Sequence, residues 1–437
     1  MKRIQRRSNA ALLLALLLLL GTLVLVLRLF LHGGDWAAYN ANLELYTSEG
    51  ILRWGTLTDR SGVLLASSED GDYRYADDET LRLASLHAVG DYRGFTGSGA
   101  IQRYARKLTN YSVLGGSAEE RGNVVPLTLD AELQKTAWRA LRGRKGCVLV
   151  MNYETGEILT MVSAPAYDPL GEPDLSVDGI FLNRALSTAY TPGSVFKTVT
   201  ICAAIENIPD LYERSFVCKG SMQIAGGTVK CGGVHGKQTI EQALANSCNC
   251  TFGTLAMELG GDTLSRYVRK LGFTEAGSLD GYPTAAGSFE AVETQDSYLA
   301  WSGIGQHKDL VCPYAMLRYL SAVANGGVVQ EPTLLLGNSN GSTRLLREET
   351  AAAVDEMMSY TFTTHYGTSG RFPKLDLCAK TGTAELGDGT SHAWFVGYCH
   401  TGMPLAFVVC IERGGEGIRE AAPVANTVLQ KALEIYG

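Results

Sequence analysis

The chain has 437 residues, of which 46% are hydrophobic, and it carries a formal net charge of −7. A chain of this length exceeds what one hydrophobic core usually organises, so we expect at least two folded units. The composition is that of a folded protein, and the acidic balance argues against nucleic acid as the main partner.

The N-terminus has the pattern of a membrane anchor. Four basic residues within the first seven positions precede an uncharged run, residues 8–27, made mostly of Leu, Val and Ala. As a helix rising about 1.5 Å per residue, this run covers roughly 30 Å, the thickness of the hydrocarbon core. A cleaved signal peptide is the alternative, but the run is long for one and no small-x-small cleavage site follows it. The sequence predicts a single-pass protein of the cell membrane, with residues 1–33 as cytoplasmic tail and anchor and the rest outside the cytoplasm.

Residues 34–126 are polar, rich in Gly and short in long apolar segments. They predict a small N-terminal module of strands and loops, a compact pedestal. Its clearest stretch is residues 53–66, which reads as strand, turn and strand. Residues 59–62 supply the turn, while Leu57, Val63 and Leu65 supply buried positions.

Residues 127–437 have the pattern of a larger α/β domain. Asp130 is placed to cap a helix that runs through Leu141, and a helix is expected over residues 313–324 within a mostly helical stretch that ends near residue 327. The final helix is expected to begin near Pro423, because proline suits a first helical turn. Five strands are predicted between helices, at residues 146–152, 158–163, 379–385, 393–399 and 405–412.

One stretch, residues 191–198, places a serine and a lysine three residues apart at the start of an apolar helix. Ser194 and Lys197 would share one face of that helix. A lysine kept neutral by burial can take the serine proton and later return it, and the helix N-terminus favours an oxyanion beside Ser194. The spacing therefore predicts a serine nucleophile with a lysine base.

Two further motifs follow in order. Ser247 and Asn249 form Ser-x-Asn, and Lys380, Thr381 and Gly382 form Lys-Thr-Gly. Together with Ser-x-x-Lys, this trio in this order resembles the signature of penicillin-binding proteins, and the chain is similar to their class B members. Cys248 stands where the signature has Asp, a position at which class B members vary.

The resemblance implies the penicillin-recognising serine transpeptidase, or β-lactamase-like, fold, with a five-stranded antiparallel sheet flanked by helices over residues 127–437. It also implies how protons move. Ser194 would attack, Lys197 would be its base, and Ser247 and Asn249 would complete a proton relay to the leaving amine.

The resemblance assigns the substrate-binding groups as well. Lys380 would supply positive potential, and Thr381, Gly382 and Thr383 would hold the terminal carboxylate of the stem peptide. The backbone N–H groups of Ser194 and Thr383 would form the oxyanion hole.

The N-terminal module carries the resemblance further. Residues 53–66 are similar to the Arg-Gly-x-Ile-x-Asp-Arg-x-Gly-x-x-Leu-Ala box that begins the non-catalytic region of class B enzymes, although Trp54 stands where the family often has a second Arg. The resemblance therefore implies that residues 34–126 are a non-catalytic pedestal module. Residues 87–90 and 97–101 resemble the short form of this family.

The ten cysteines leave two interpretations open. Cys218 and Cys231 bracket a Gly-rich, hairpin-like stretch, so a disulfide between them is one interpretation. Zinc is the competing interpretation, since His235 follows Cys231 closely. Four ligands at regular spacing are missing, so no metal site is predicted.

The function that follows from the resemblance is a membrane-anchored D,D-transpeptidase that cross-links peptidoglycan stem peptides through a Ser194 acyl-enzyme and is acylated by β-lactam antibiotics. It would need no cofactor, and its implied partner is a polytopic glycan polymerase. One alternative is a β-lactam hydrolase or D,D-carboxypeptidase, but no Glu-x-x-x-Asn deacylation stretch follows the Ser-x-Asn motif. Another is a non-catalytic β-lactam-binding sensor or scaffold, which would be expected to carry several membrane spans.

Overall fold

A computed structural model describes residues 2–37, 42–112, 116–117, 122–290, 296–400 and 402–437. By compactness the chain divides into two units. The smaller comprises Met1–Leu57, Ala66–Arg74 and Tyr104–Val125, and the larger comprises Thr58–Leu65, Tyr75–Arg103 and Pro126–Gly437. Residues 58–65 and 75–103 were predicted to belong to the N-terminal module, but by compactness they group with the larger unit. The domain boundary after residue 126 stays a prediction.

The α-helices are α1 (Lys2–Ala37), α2 (Glu79–Val89), α3 (Ala100–Arg103), α4 (Ala105–Leu108), α5 (Ala131–Leu141), α6 (Lys197–Asn207), α7 (Ile240–Ala245), α8 (Asn249–Leu259), α9 (Gly261–Lys270), α10 (Ser297–Ser302), α11 (Pro313–Ala324), α12 (Glu348–Thr361) and α13 (Gly417–Tyr436). Shorter helical turns lie at Gly193–Phe196, Leu211–Glu213, Phe362–Tyr366 and Gly367–Ser369.

The strands are β1 (Trp54–Thr58), β2 (Leu64–Glu69), β3 (Asp72–Tyr75), β4 (Tyr111–Ser112), β5 (Gly116–Ser117), β6 (Val124–Pro126), β7 (Gly146–Asn152), β8 (Ile158–Ala164), β9 (Phe216–Cys218), β10 (Ser221–Ile224), β11 (Gly227–Lys230), β12 (Gly236–Gln238), β13 (Ser278–Leu279), β14 (Tyr282–Pro283), β15 (Val328–Gln330), β16 (Ser342–Arg344), β17 (Leu377–Glu385), β18 (Ser391–Cys399) and β19 (Leu405–Ile411).

In the smaller unit, α1 is the one helix among the described residues that is long and apolar enough to cross a membrane, over Arg3–His32. Its apolar side chains are exposed along the whole span. The larger parts of four strands also lie in this unit and belong to a sheet of order β3-β2-β1-β6.

The larger unit is built on an antiparallel sheet of five strands in the order β17-β18-β19-β7-β8. The prediction of five such strands is confirmed. Apolar residues from one face of the sheet form a core with α5 and α13, including Leu133, Phe395, Phe407 and Val428. Helix α11 packs against β7 and β19, and α6, α8, α9 and α10 form a second cluster around Ala203 and Ala256.

Helix α5 begins as predicted. The Asp130 side chain accepts a hydrogen bond from the Leu133 N–H at 2.9 Å, which satisfies one of the free amides of the first turn. Helix α11 has the predicted bounds, with a proline at its first position.

Two helix predictions were wrong. The last helix begins at Gly417, and Pro423 lies inside it on the exposed side. Burial of an apolar face that includes Val424 and Val428 outweighs the one hydrogen bond that proline removes. Residues 34–126 were expected to hold only strands and loops, yet α2 lies there, capped by the Asp78 side chain.

Candidate active site

Ser194 lies on a tight turn that leads directly into α6. The turn, Gly193–Phe196, is a 3₁₀ helix, and Lys197 is the first residue of the α-helix that follows. In a 3₁₀ helix residues three apart eclipse one another, so the predicted alignment of Ser194 with Lys197 is kept although the α-helix starts later. Gly193 opens the turn at a φ of +58°, a conformation that glycine adopts without steric cost.

The Lys197 amine is the centre of the site. Its Nζ lies 2.9 Å from Ser194 Oγ and 3.0 Å from Ser247 Oγ. It donates to the Ser247 carbonyl oxygen at 2.7 Å and to Asn249 Oδ1 at 2.6 Å. The aliphatic stem and amine are fully buried, with Nζ 5.9 Å from the centre of the Phe252 ring.

Burial lowers the pKa of Lys197 well below its usual value, and the nearby charge of Lys380 lowers it further. Removing an ammonium from water disfavours the charged form, and a second cation does the same. Lys197 can therefore hold a free electron pair at neutral pH, which is what a proton acceptor beside a serine requires.

The Ser247–Asn249 loop joins α7 to α8. Ser247 has a φ of +53°, and its hydroxyl oxygen accepts a hydrogen bond from Lys380 Nζ at 3.1 Å. Asn249 is the first residue of α8, and its Nδ2 donates to the Lys230 carbonyl at 2.8 Å. The Ser247 hydroxyl thus lies between two lysine amines.

Lys380 is buried on β17, and burial alone lowers the pKa of its amine to about 7. Besides Ser247, its Nζ contacts the Thr381 carbonyl oxygen at 3.1 Å. The lowered pKa allows Lys380 to change its charge near neutral pH.

Strand β17 runs close to the serine turn. A Cβ on Gly382 would lie 2.8 Å from the Pro192 carbonyl oxygen, and one on Gly193 would lie 2.9 Å from the Thr383 carbonyl oxygen. The segments that carry the amides of Ser194 and Thr383 are therefore neighbours, as an oxyanion hole built from them requires. Thr383 is exposed at this edge of the site, so a ligand can reach it.

Residues 146–430 match the family model described as penicillin binding protein transpeptidase domain. The chain belongs to the penicillin-binding protein transpeptidase family.

Proteins similar to this chain are named peptidoglycan D,D-transpeptidases, and the similarity supports a class B penicillin-binding protein. The peptidoglycan D,D-transpeptidase PbpA of Mycobacterium tuberculosis is 26% identical over 76% of each chain, and its counterpart in Mycolicibacterium smegmatis is 26% identical over 98% of each. The crystal structure of the D,D-transpeptidase domain of an Eggerthella lenta peptidoglycan glycosyltransferase superimposes with a TM-score of 0.74 at 29% identity. It covers 88% of this chain and 99% of that one.

In this member of the family, sequence reasoning missed the support behind β17. The Tyr366 hydroxyl lies 2.9 Å from Thr381 Oγ1 and accepts the Thr381 N–H at 3.3 Å. Trp394 Nε1 donates to the Thr191 carbonyl at 3.0 Å and so fixes the lead-in to the serine turn. Neither residue belongs to a short motif. The register of β17 with β18 places Trp394 opposite Gly382, whereas Tyr366 is carried by the helical turn Phe362–Tyr366.

The expected disulfide of this penicillin-binding protein does not match the structure, in which Cys218 and Cys231 are both free thiols. Their sulfur atoms lie instead in a cluster with His235 and Cys248. The expectation that no metal site exists rested on irregular spacing along the chain, and spacing does not report distances that tertiary folding creates.

Proposed function

We propose that this protein is a membrane-anchored peptidoglycan D,D-transpeptidase that works through an acyl-enzyme on Ser194. The observation that carries the proposal is the buried Lys197 amine, 2.9 Å from Ser194 Oγ and with a lowered pKa. An alcohol needs such a base to become a nucleophile at neutral pH.

In the first half of the reaction, Ser194 Oγ attacks the carbonyl carbon of a D-Ala–D-Ala amide while Lys197 Nζ takes the hydroxyl proton. Lys197 already donates hydrogen bonds to the Ser247 carbonyl and Asn249 Oδ1, which leaves its electron pair for Ser194. The negative charge that develops on the carbonyl oxygen is stabilised by the backbone N–H groups of Ser194 and Thr383.

The C–N bond then breaks. The leaving amine takes a proton through Ser247 Oγ, which lies 3.0 Å from Lys197 Nζ, and the acyl group remains as an ester on Ser194. An amine of a second stem peptide attacks this ester, the C–O bond breaks, and the proton returns to Ser194 Oγ by the same route. A β-lactam enters as the donor amide, and its leaving nitrogen stays tethered to the acyl group.

Lys380 and the two threonines of β17 form the carboxylate subsite of this proposal. Protonated Lys380 is a cation on the strand that borders the serine turn, and Thr381, Gly382 and Thr383 continue toward solvent. A terminal carboxylate there gains a charge-assisted interaction together with hydroxyl donors.

Membrane placement is part of the proposal. Helix α1 supplies one span, and the basic residues before it favour a cytoplasmic N-terminus with the larger unit outside. The partner we propose is a polytopic glycan polymerase, which would supply the strands to be cross-linked and contact the exposed apolar side chains of α1. Site-specific cross-linking from Leu16 in native membranes tests this, since recovery of only lipid adducts would contradict a helix-to-helix contact.

The test of the reaction is a labelling time course with a fluorescent penicillin on the full-length chain in detergent. Stable label on the wild type, absent from Ser194→Ala and present on Ser342→Ala, is the expected result. Ser342 is an exposed serine of β16 and serves as the matched control. A folded wild-type protein that takes no label would refute the acyl-enzyme and favour a silent scaffold.

A second measurement separates transfer from hydrolysis. The protein is incubated with a D-Ala–D-Ala pentapeptide and a fluorescent D-amino acid as acceptor amine. Incorporation of the acceptor supports the transpeptidase. Release of D-Ala without incorporation, or rapid loss of penicillin label, would identify a carboxypeptidase or β-lactam hydrolase instead.

A further inference from the structure

Four potential metal ligands converge beside the Ser-x-Asn loop. Cys218 ends β9, and His235 immediately precedes β12, whose first residue pairs with Cys218 in the ladder. Cys231 follows β11, and Cys248 is the N-cap of α8. The four ligand atoms all lie within 4.8 Å of one another.

The distances within this cluster fit a tetrahedral site. Zn–S bonds of about 2.3 Å and a Zn–N bond of about 2.0 Å place sulfurs about 3.8 Å apart, and sulfur and nitrogen about 3.5 Å apart. Cys231 Sγ lies 3.9 Å from Cys248 Sγ and 3.5 Å from His235 Nδ1. Both distances match those expected between two ligands of one tetrahedral zinc ion.

The surroundings of the sulfurs are those of metal-bound thiolates. Zinc thiolates are held and oriented by hydrogen bonds from neighbouring groups. Each of the three sulfurs accepts a backbone N–H here, with donors Gly220 at 3.4 Å to Cys218, Asn249 at 3.2 Å to Cys231 and Thr251 at 3.5 Å to Cys248.

We propose that Cys218, Cys231, His235 and Cys248 bind one Zn²⁺ ion, through three thiolates and one neutral imidazole. Four protein ligands complete the tetrahedron and leave no open position, which makes the site structural rather than catalytic. A second group, Asp355, Cys378 and His400, offers three donors only.

The ion would hold the Ser-x-Asn loop in place. Two ligands, Cys231 and Cys248, are tied to the loop, because the Asn249 N–H donates to Cys231 Sγ and Cys248 lies between Ser247 and Asn249. The ion would join that loop to the β9–β12 strand pair and to the β10–β11 hairpin. This consequence rests on the proposed function, in which Ser247 and Asn249 contact Lys197; the metal site itself does not.

The test begins with metal content. The full-length chain is purified in detergent under reducing conditions, and zinc and iron are measured by mass spectrometry of the elements. We expect about one zinc per chain, and less than a tenth of that in Cys218→Ser and in His235→Ala. Cys312→Ser is the matched control and should keep its zinc. Cys312 is a buried N-cap thiol outside the cluster, and serine suits that position.

A second measurement keeps the proposal testable if the variants fold poorly. Wild-type protein stripped with a chelator is titrated with Co²⁺, which should produce the visible bands of a tetrahedral cobalt thiolate and disappear on adding zinc. Three results would overturn the zinc site. They are less than a tenth of an equivalent of zinc after loading, iron in place of zinc, and a Cys218–Cys231 disulfide in protein that labels fully with penicillin.

Penicillin labelling then connects the ion to the loop. Zinc-free protein should acylate at least about tenfold more slowly, as expected when the groups that orient a site are lost, and added zinc should restore the rate. Zinc-loaded protein that never labels would count against the proposed function and leave the metal site standing. Equal labelling with and without zinc would overturn the positioning role.

Discussion

The buried Lys380 amine predicts a steep alkaline loss of penicillin acylation. Burial lowers its pKa to about 7, so half of the free enzyme carries the charge at pH 7 and about one part in a hundred at pH 9. If the charge is needed to bind the carboxylate, the second-order rate constant for acylation should fall about fiftyfold between these two values, because that constant reports ionisation in the free enzyme.

The acid side of the profile has the opposite cause. Lys197 must be neutral to accept the Ser194 proton, so protonation of Lys197 lowers the rate as pH falls. Its pKa is lowered well below the usual lysine value, first by burial and then by the charge of Lys380. The expected profile is therefore a bell whose alkaline limb belongs to Lys380.

The assay is stopped-flow labelling with a fluorescent penicillin from pH 5 to pH 10. Two comparisons identify Lys380. Lys380→Arg should lose the alkaline limb because a guanidinium stays protonated throughout this range. A probe whose carboxylate is a methyl ester should react slowly at every pH and show no alkaline fall. If the wild-type rate is flat from pH 7 to pH 9, Lys380 does not control acylation. The same holds if the ester probe and the arginine variant show an equal fall.

Three further predictions concern packing and charge. Glu412→Gln should lower the free energy of unfolding in urea by about 3 kcal/mol, because it leaves the nearly buried Arg184 guanidinium, 2.8 Å away, without its carboxylate. The control Glu416→Gln, in an exposed ion pair, should cost under about 1 kcal/mol. Gly193→Ala should reduce penicillin labelling at least about tenfold while the zinc content stays normal. The added Cβ would lie 2.9 Å from a carbonyl oxygen of β17, and residue 193 has a left-handed backbone conformation. Undiminished labelling would contradict this. Asp309→Asn should stabilise the protein more at pH 8 than at pH 5. Burial raises the pKa of Asp309 well above its usual value, so the folded protein keeps a proton that the unfolded chain releases above about pH 4, and wild-type stability declines as pH rises through that window. An equal effect at both pH values would show that this carboxyl is charged in the folded protein.

Local chemistry explains what could be predicted from sequence in this chain. Strands β7 and β19 are almost continuous apolar runs, so their positions follow from burial on both faces. Asp130 and Pro313 mark helix starts because capping and a fixed φ act within one turn. The order of the three motifs was enough to identify the fold and the residues that meet at Lys197.

The start of α13 and the presence of α2 were not predicted from the sequence. The extent of a helix depends on how much apolar surface it buries against the rest of the fold, and a local pattern does not contain that information. Pro423 was expected to begin a helix, but the apolar face of α13 gains more from contact with the sheet than its missing hydrogen bond costs. Helix α2 carries a capping aspartate, yet the polar stretch around it resembled loops. In α13 tertiary burial outweighed the local propensity, whereas α2 follows its own capping signal and buries apolar residues that include Leu81.

From the sequence alone one could predict an apolar helix long enough to cross a membrane, the five-stranded core and the residues of the proposed acyl-enzyme site. The distances between the groups of the active site and of the cysteine cluster arise only from tertiary folding. Lys380 meets Ser247 across 133 residues of chain, and its lowered pKa comes from burial that no motif encodes. Folding likewise brought Cys218, Cys231, His235 and Cys248 within 4.8 Å of one another. A motif states which groups are present, whereas proximity and exclusion of water arise only when distant segments pack together.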